Sequence, residues 1–169
     1  MTFGRRVAIG LLAGLLCLVT IGAAAKSEKD TQKSQVNRVR FEHVGLNVAD
    51  PVKAAQWYVD NLGMKILRQG DAPANNRFVA DAAGNMMFEF YHNPPDAVPN
   101  YPSMDPMSLH IAFLVDDVDA IRARLLAAGA TAAGDVTVNP AGDRLTMLRD
   151  PWGLPIQIIR RADPMLSHK

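Results

Sequence analysis

The sequence predicts an α+β fold built from two copies of one βαβββ unit, and three observations predict it. The stretch Phe41-Glu42-His43-Val44-Gly45-Leu46-Asn47-Val48 returns as Ser108-Leu109-His110-Ile111-Ala112-Phe113-Leu114-Val115. Each copy leads into an acidic residue and a helix-like run, Asp50-Pro51 before 52–62 and Asp116-Asp117 before 118–128. Each unit closes on an acid-x-x-Gly turn and a last strand: Asp81-Ala82-Ala83-Gly84 before 86–91, and Asp150-Pro151-Trp152-Gly153 before 155–160. Glycine ends such a turn because it accepts positive φ without steric cost. His43 to His110 is 67 residues and Glu89 to Gln157 is 68, so the repeat is nearly in register.

In the first unit the strand at 41–48 puts His43, Gly45 and Asn47 on one face, because side chains alternate along a strand. Pro51 suits the first helical position, where its missing donor would be unpaired anyway. Val52, Ala55, Val59 and Leu62 form an apolar stripe at helical spacing, and Gly63 is a left-handed stop. Strands are expected at 64–68, 77–81 and 86–91. The second unit repeats the order: Val118, Ile121, Leu125 and Ala128 line one helical face, Gly129 ends it, and strands follow at 131–138, 144–149 and 155–160. Between the units, residues 93–107 carry five prolines, Pro94, Pro95, Pro99, Pro102 and Pro106. That is too many for helix or inner strand, so the stretch reads as a connector, with Tyr101 and Met104 as the alternative parts of a lid.

The N terminus is different in kind. Arg5-Arg6, an apolar run from Val7 to Ile21 and Ala23-Ala24-Ala25 are the three parts of a secretory signal. Residues 1–25 are therefore expected to be cleaved, leaving a polar tether at 26–38, a paired-unit domain at 39–161 (39–92 and 108–161) and a tail at 162–169. A periplasmic or secreted location follows. Lipid attachment at Cys17 is not expected, because Leu16 stands where such sites need a small residue. Removing Cys17 leaves a chain without cysteine, so any metal site uses nitrogen and oxygen. Removing Arg5 and Arg6 takes the basic residues from 18 to 16 against 17 acidic, about −1 net, which points to neither nucleic acid nor a membrane surface as partner.

These residues resemble the vicinal oxygen chelate superfamily, which includes glyoxalase I, extradiol dioxygenases and fosfomycin- and bleomycin-resistance proteins. The resemblance covers about residues 39–161 and is carried by His43-Val44-Gly45-Leu46-Asn47-Val48, Asn61-Leu62-Gly63-Met64, His110-Ile111-Ala112-Phe113 and Asp150-Pro151-Trp152-Gly153-Leu154-Pro155-Ile156-Gln157. It implies an open, eight-stranded, barrel-like cleft around one divalent metal, with units paired within a chain or between the two chains of a homodimer. The implied ligands are His43, Glu89, His110 and Gln157. The last departs from the glutamate usual at that position.

Such a donor set suits zinc, nickel, manganese, cobalt or iron(II), and a metal held there stabilises negative charge on adjacent substrate oxygens. Proton transfer also needs a base, and an uncharged amide is none. Glu89 is thus the candidate base, and Gln157 at most a weak ligand. A glyoxalase-like lyase or isomerase leads over a non-catalytic small-molecule-binding protein, with an iron-dependent dioxygenase third. Alternation places Asn47, Met87, Tyr91, Leu114, Ala112 and Ile159 on the same faces as these positions, and Met147 and Trp152 complete the proposed pocket. Arg77 and Arg149 are read as contacts for an anionic substrate or as solvated strand residues. His92 and His168 are read as solvated.

Overall fold

The computed structural model describes residues 40–93 and 98–165. The expected signal segment, the tether, Cys17, Pro94, Pro95 and His168 lie outside the described residues. The compact unit that runs from Glu42 onward holds every element below.

Its first module is β1 (Val44–Asn47), α1 (Pro51–Leu62), β2 (Lys65–Gln69), β3 (Arg77–Ala80) and β4 (Met87–Tyr91). Tyr101–Ser103 form a short 3-10 turn in the connector. The second module is β5 (Ile111–Leu114), α2 (Val118–Ala127), β6 (Thr131–Ala132), β7 (Thr137–Val138), β8 (Arg144–Arg149) and β9 (Pro155–Arg160). The strand expected over 131–138 is broken in two, with both pieces pairing with β8, because Gly134-Asp135 interrupts it. One sheet runs β1-β4-β3-β2 and the other β5-β9-β8-β6, with β7 alongside β8. The sheets do not close into a barrel. In each, first and last strands pair in parallel: Gly45 lies opposite Glu89 as Ala112 lies opposite Gln157. That match confirms the repeat read from the sequence.

Helix termini form as their residues dictate. Asp50 and Asp117 cap α1 and α2 by accepting from the Lys53 and Ala120 amides, each at 3.0 Å. Gly63 closes α1 at φ 67°, where a side chain would strain the backbone. The buried stripe of α1 is turned from the one expected: Pro51, Ala54, Ala55 and Tyr58 are buried, Val52 is exposed, and Val59 and Leu62 are only partly covered. Apolar periodicity misses this face because its deepest residue is a tyrosine, whose ring packs among Phe88, Phe90 and Phe113.

The modules are joined at that ring. Tyr58 Oη donates to Asp150 Oδ2 at 2.9 Å, and both residues are buried. Asp150 Oδ1 accepts from the amides of Trp152 and Leu154, so the turn between β8 and β9 is wound round one carboxylate. Trp57 Nε1 donates to the Ala128 carbonyl at 2.8 Å, and Trp152 meets Trp57 edge to face. The stretch at 98–107 acts as a connector rather than the alternative lid: Tyr101 is a buried plug whose hydroxyl donates to the Asn47 carbonyl at 3.0 Å, and Met104 packs on the same core.

Burial raises the Asp150 carboxyl above its ordinary value of 3.8, against the donors that lower it. Replacing Tyr58 by Phe leaves a buried carboxylate oxygen without its donor, so Tyr58→Phe is expected to cost about 2 kcal/mol in urea unfolding. A group whose folded pKa is raised stabilises the fold fully below the unfolded value and loses that contribution as pH rises through the folded one. Unfolding of the parent chain and Asp150→Asn, followed side by side upward from pH 3.8, should show the parent losing stability relative to the variant. A parallel pair of curves would rule out titration of this carboxyl.

Candidate functional site

Every other residue of β4 faces the core. Phe88 and Phe90 point to α1, while Met87, Glu89 and Tyr91 share the opposite, partly exposed face, next to Phe78 of β3 and Gly45 of β1. His43 stands one residue before β1 and lies edge-on to the Phe78 ring, centroids 5.7 Å apart. Its Nε2 is 3.4 Å from Glu89 Oε2, and its Nδ1 is in contact with the Glu42 carboxylate. Glu89 Oε1 accepts from Asn76 Nδ2 at 3.1 Å. The Glu89 side chain is 23% exposed and His43 33%, enough for a ligand to reach them and little enough to keep their polar atoms directed.

A metal held by a histidine nitrogen and a carboxylate oxygen at bonds of about 2.1 Å in tetrahedral geometry sets those two atoms about 3.4 Å apart. The observed separation is 3.4 Å. A carboxylate on the other imidazole nitrogen, here Glu42, is a common outer partner of a metal-bound histidine. His43 and Glu89 therefore fit two positions around a divalent ion. Among the described residues, no three His, Cys, Asp or Glu side chains gather closely enough to hold one unaided. His110 stands before β5, as His43 does before β1, with Nδ1 at 2.9 Å from the Pro106 carbonyl. Gln157 is on β9 between Ala112 and Met147.

The remaining expected site residues separate by sheet. Met87 and Tyr91 share the Glu89 face, and Asn47 ends β1 on that face, buried, its Oδ1 accepting from the Asn93 amide at 3.0 Å. Leu114, Ala112, Met147 and Ile159 share a face with Gln157; Leu114 is 61% exposed, whereas Ile159 is buried. Trp152 packs on the core beside Trp57. Both arginines are partly buried and bonded to backbone carbonyls. Arg77 Nη1 donates to the carbonyls of Gly70, Asn75 and Asn76, and Arg149 to those of Tyr101, Gly153 and Met104, so both brace loops. His92, read as solvated, is instead half-buried with Nδ1 at 2.9 Å from the Val48 carbonyl. The residues that sequence reasoning missed are Asn76 and Glu42. Glu42 adjoins the repeated histidine; Asn76, in a loop outside the repeated strands, carries no periodic signal.

Residues 40–158 match the model of the Glyoxalase/Bleomycin resistance protein/Dioxygenase superfamily. The chain is 28% identical over 123 residues to the uncharacterized protein YaeR of Escherichia coli (strain K12), covering 70% of this chain and 94% of that one. Its fold resembles that of a glyoxalase family protein from Bacillus cereus, at a TM-score of 0.64 and 17% identity, covering 75% of this chain and 97% of the other. It also resembles TnmS3, an antibiotic binding protein from Streptomyces sp. CB03234, at a TM-score of 0.56 and 25% identity over 74% of this chain and all of that one. With the repeated modules, their parallel first and last strands and this family match all falling on one stretch, the chain belongs to the glyoxalase/bleomycin resistance protein/dioxygenase superfamily.

Proposed function

We propose that this chain binds a small organic molecule on the outward faces of its two sheets, with a divalent metal held at His43 and Glu89 as the polar anchor. The observation that carries the reading is the 3.4 Å between His43 Nε2 and Glu89 Oε2 on a face that also carries Phe78, Met87 and Tyr91. Apolar surface around a few directed polar groups is what small-molecule sites are made of. Two protein donors leave positions open, and adjacent oxygens of the molecule suit them. The likeness to an antibiotic-binding protein supports the binding half of the reading.

A glyoxalase-like reaction is the second reading, and Glu89 is what favours it, as a carboxylate beside the proposed ion. Two features favour holding over turnover. Gln157 cannot take a proton, and both Glu89 oxygens are engaged, one by Asn76 and one facing His43. The pattern of residues 1–25 supports action outside the cytoplasm. That setting disfavours substrates dependent on glutathione or coenzyme A.

Elemental analysis of the untagged full chain, purified from medium containing zinc, nickel, manganese and iron, is expected to find about one metal per chain. His43→Ala and Glu89→Ala should each lose it while keeping the parent's unfolding transition. Deuterium appearing at a carbon of a bound hydroxyketone or ketoaldehyde would establish the catalytic reading. Loss of metal from neither variant would overturn the anchor.

A further inference from the structure

The loop between β2 and β3 reaches the Glu89 carboxylate. The segment between β2 and β3 brings Asn76 beside Glu89, and three features hold Asn76 there. Gly70 N–H donates to the Asn76 carbonyl at 2.9 Å. Arg77 Nη1 ties together the carbonyls of Gly70, Asn75 and Asn76 at 2.9–3.0 Å. Gly70 itself has no side chain where one would collide: a Cβ there would lie 2.0 Å from Asn76 Oδ1. The carboxamide therefore occupies the space a side chain at 70 would take, with its Nδ2–H donating to Glu89 Oε1, 3.1 Å away.

A carboxylate on a flexible side chain rotates freely unless one oxygen is tied. With Oε1 tied to Asn76, Oε2 is left toward His43 Nε2. We infer that Asn76, seated on Gly70, is a positioning residue that aims the Glu89 carboxylate at His43. The inference rests on Glu89 and His43 being the ligand pair proposed above. Outer partners of this kind govern metal affinity through the orientation of the ligand they touch.

The test uses four forms of the full chain: the parent, Asn76→Ala, Gly70→Ala and the double variant. Cobalt(II) affinity is measured by competition with a chromophoric chelator, and the Glu89 side-chain carboxyl carbon is followed by carbon-13 NMR in the metal-free protein. Asn76→Ala is expected to weaken cobalt binding about 10- to 100-fold. Gly70→Ala should do the same without touching Glu89, because its new methyl displaces the carboxamide. The double variant should be no weaker than Asn76→Ala alone, since alanine at 76 removes the collision. Mere loss of loop stability would instead add the two effects, and additivity would overturn the inference. So would unchanged affinity together with an unmoved Glu89 resonance. If the parent takes up no cobalt, the metal reading falls and the resonance alone decides. A shift in both single variants then supports the positioning role, and no shift in either overturns it.

Discussion

The bond from Tyr58 to Asp150 is the constraint on which the two-module arrangement depends. It reaches from the middle of α1 to the turn before β9, 92 residues along the chain, and is buried at both ends. A carboxylate inside an apolar core is costly unless donors surround it, and Asp150 has the tyrosine hydroxyl and two backbone amides on its oxygens. The same donors shape the turn that feeds Leu154 into the first core and Ile156 into the second. Burial also raises the Tyr58 hydroxyl well above its usual value, so it remains a donor throughout the neutral range. One polar contact thus sets the register between the helix of one module and the hairpin of the other.

The connector completes that junction from the opposite side. Gly153, at φ 89°, lies so close to Pro102 that a Cβ would come within 2.5 Å of its ring. Arg149 then joins the connector to the same turn through three carbonyls. A proline-rich segment with no regular partner still needs its carbonyls satisfied when it is buried, and a guanidinium with several donors does this from one side chain. An arginine used in this way is committed first to holding the connector on the turn.

The modules were legible in the sequence because repetition doubles every signal: Asp50 and Asp117 cap alike, and Gly84 and Gly153 turn alike at positive φ. The buried face of α1 was not legible, since apolar periodicity gives Tyr58 no more weight than Val59 and cannot see Asp150. Strand 131–138 reads as continuous by composition but is interrupted by a glycine that lets the chain step along β8. At the site, alternation correctly put Glu89, Met87 and Tyr91 on one face. It could not reveal Asn76 or the use of Arg77 and Arg149, because side chains that meet through loops obey no period.

The repeat also shows why the two modules differ chemically at equivalent places. Gln157 is opposite Ala112 and Met147, as Glu89 is opposite Gly45 and Phe78. Counting back two residues from those β3 and β8 partners leads to Asn76 in the first module and Leu145 in the second. The first module therefore supplies a donor for a carboxylate and the second an aliphatic side chain. A glutamate at 157 would lack the support that Asn76 gives Glu89, whereas an amide there carries no charge to be stabilised. Leu114, Met147 and Ala112 extend that apolar character over the Gln157 face. The paired acid and histidine thus lie in the first module, while the equivalent place in the second has an uncharged amide among aliphatic side chains.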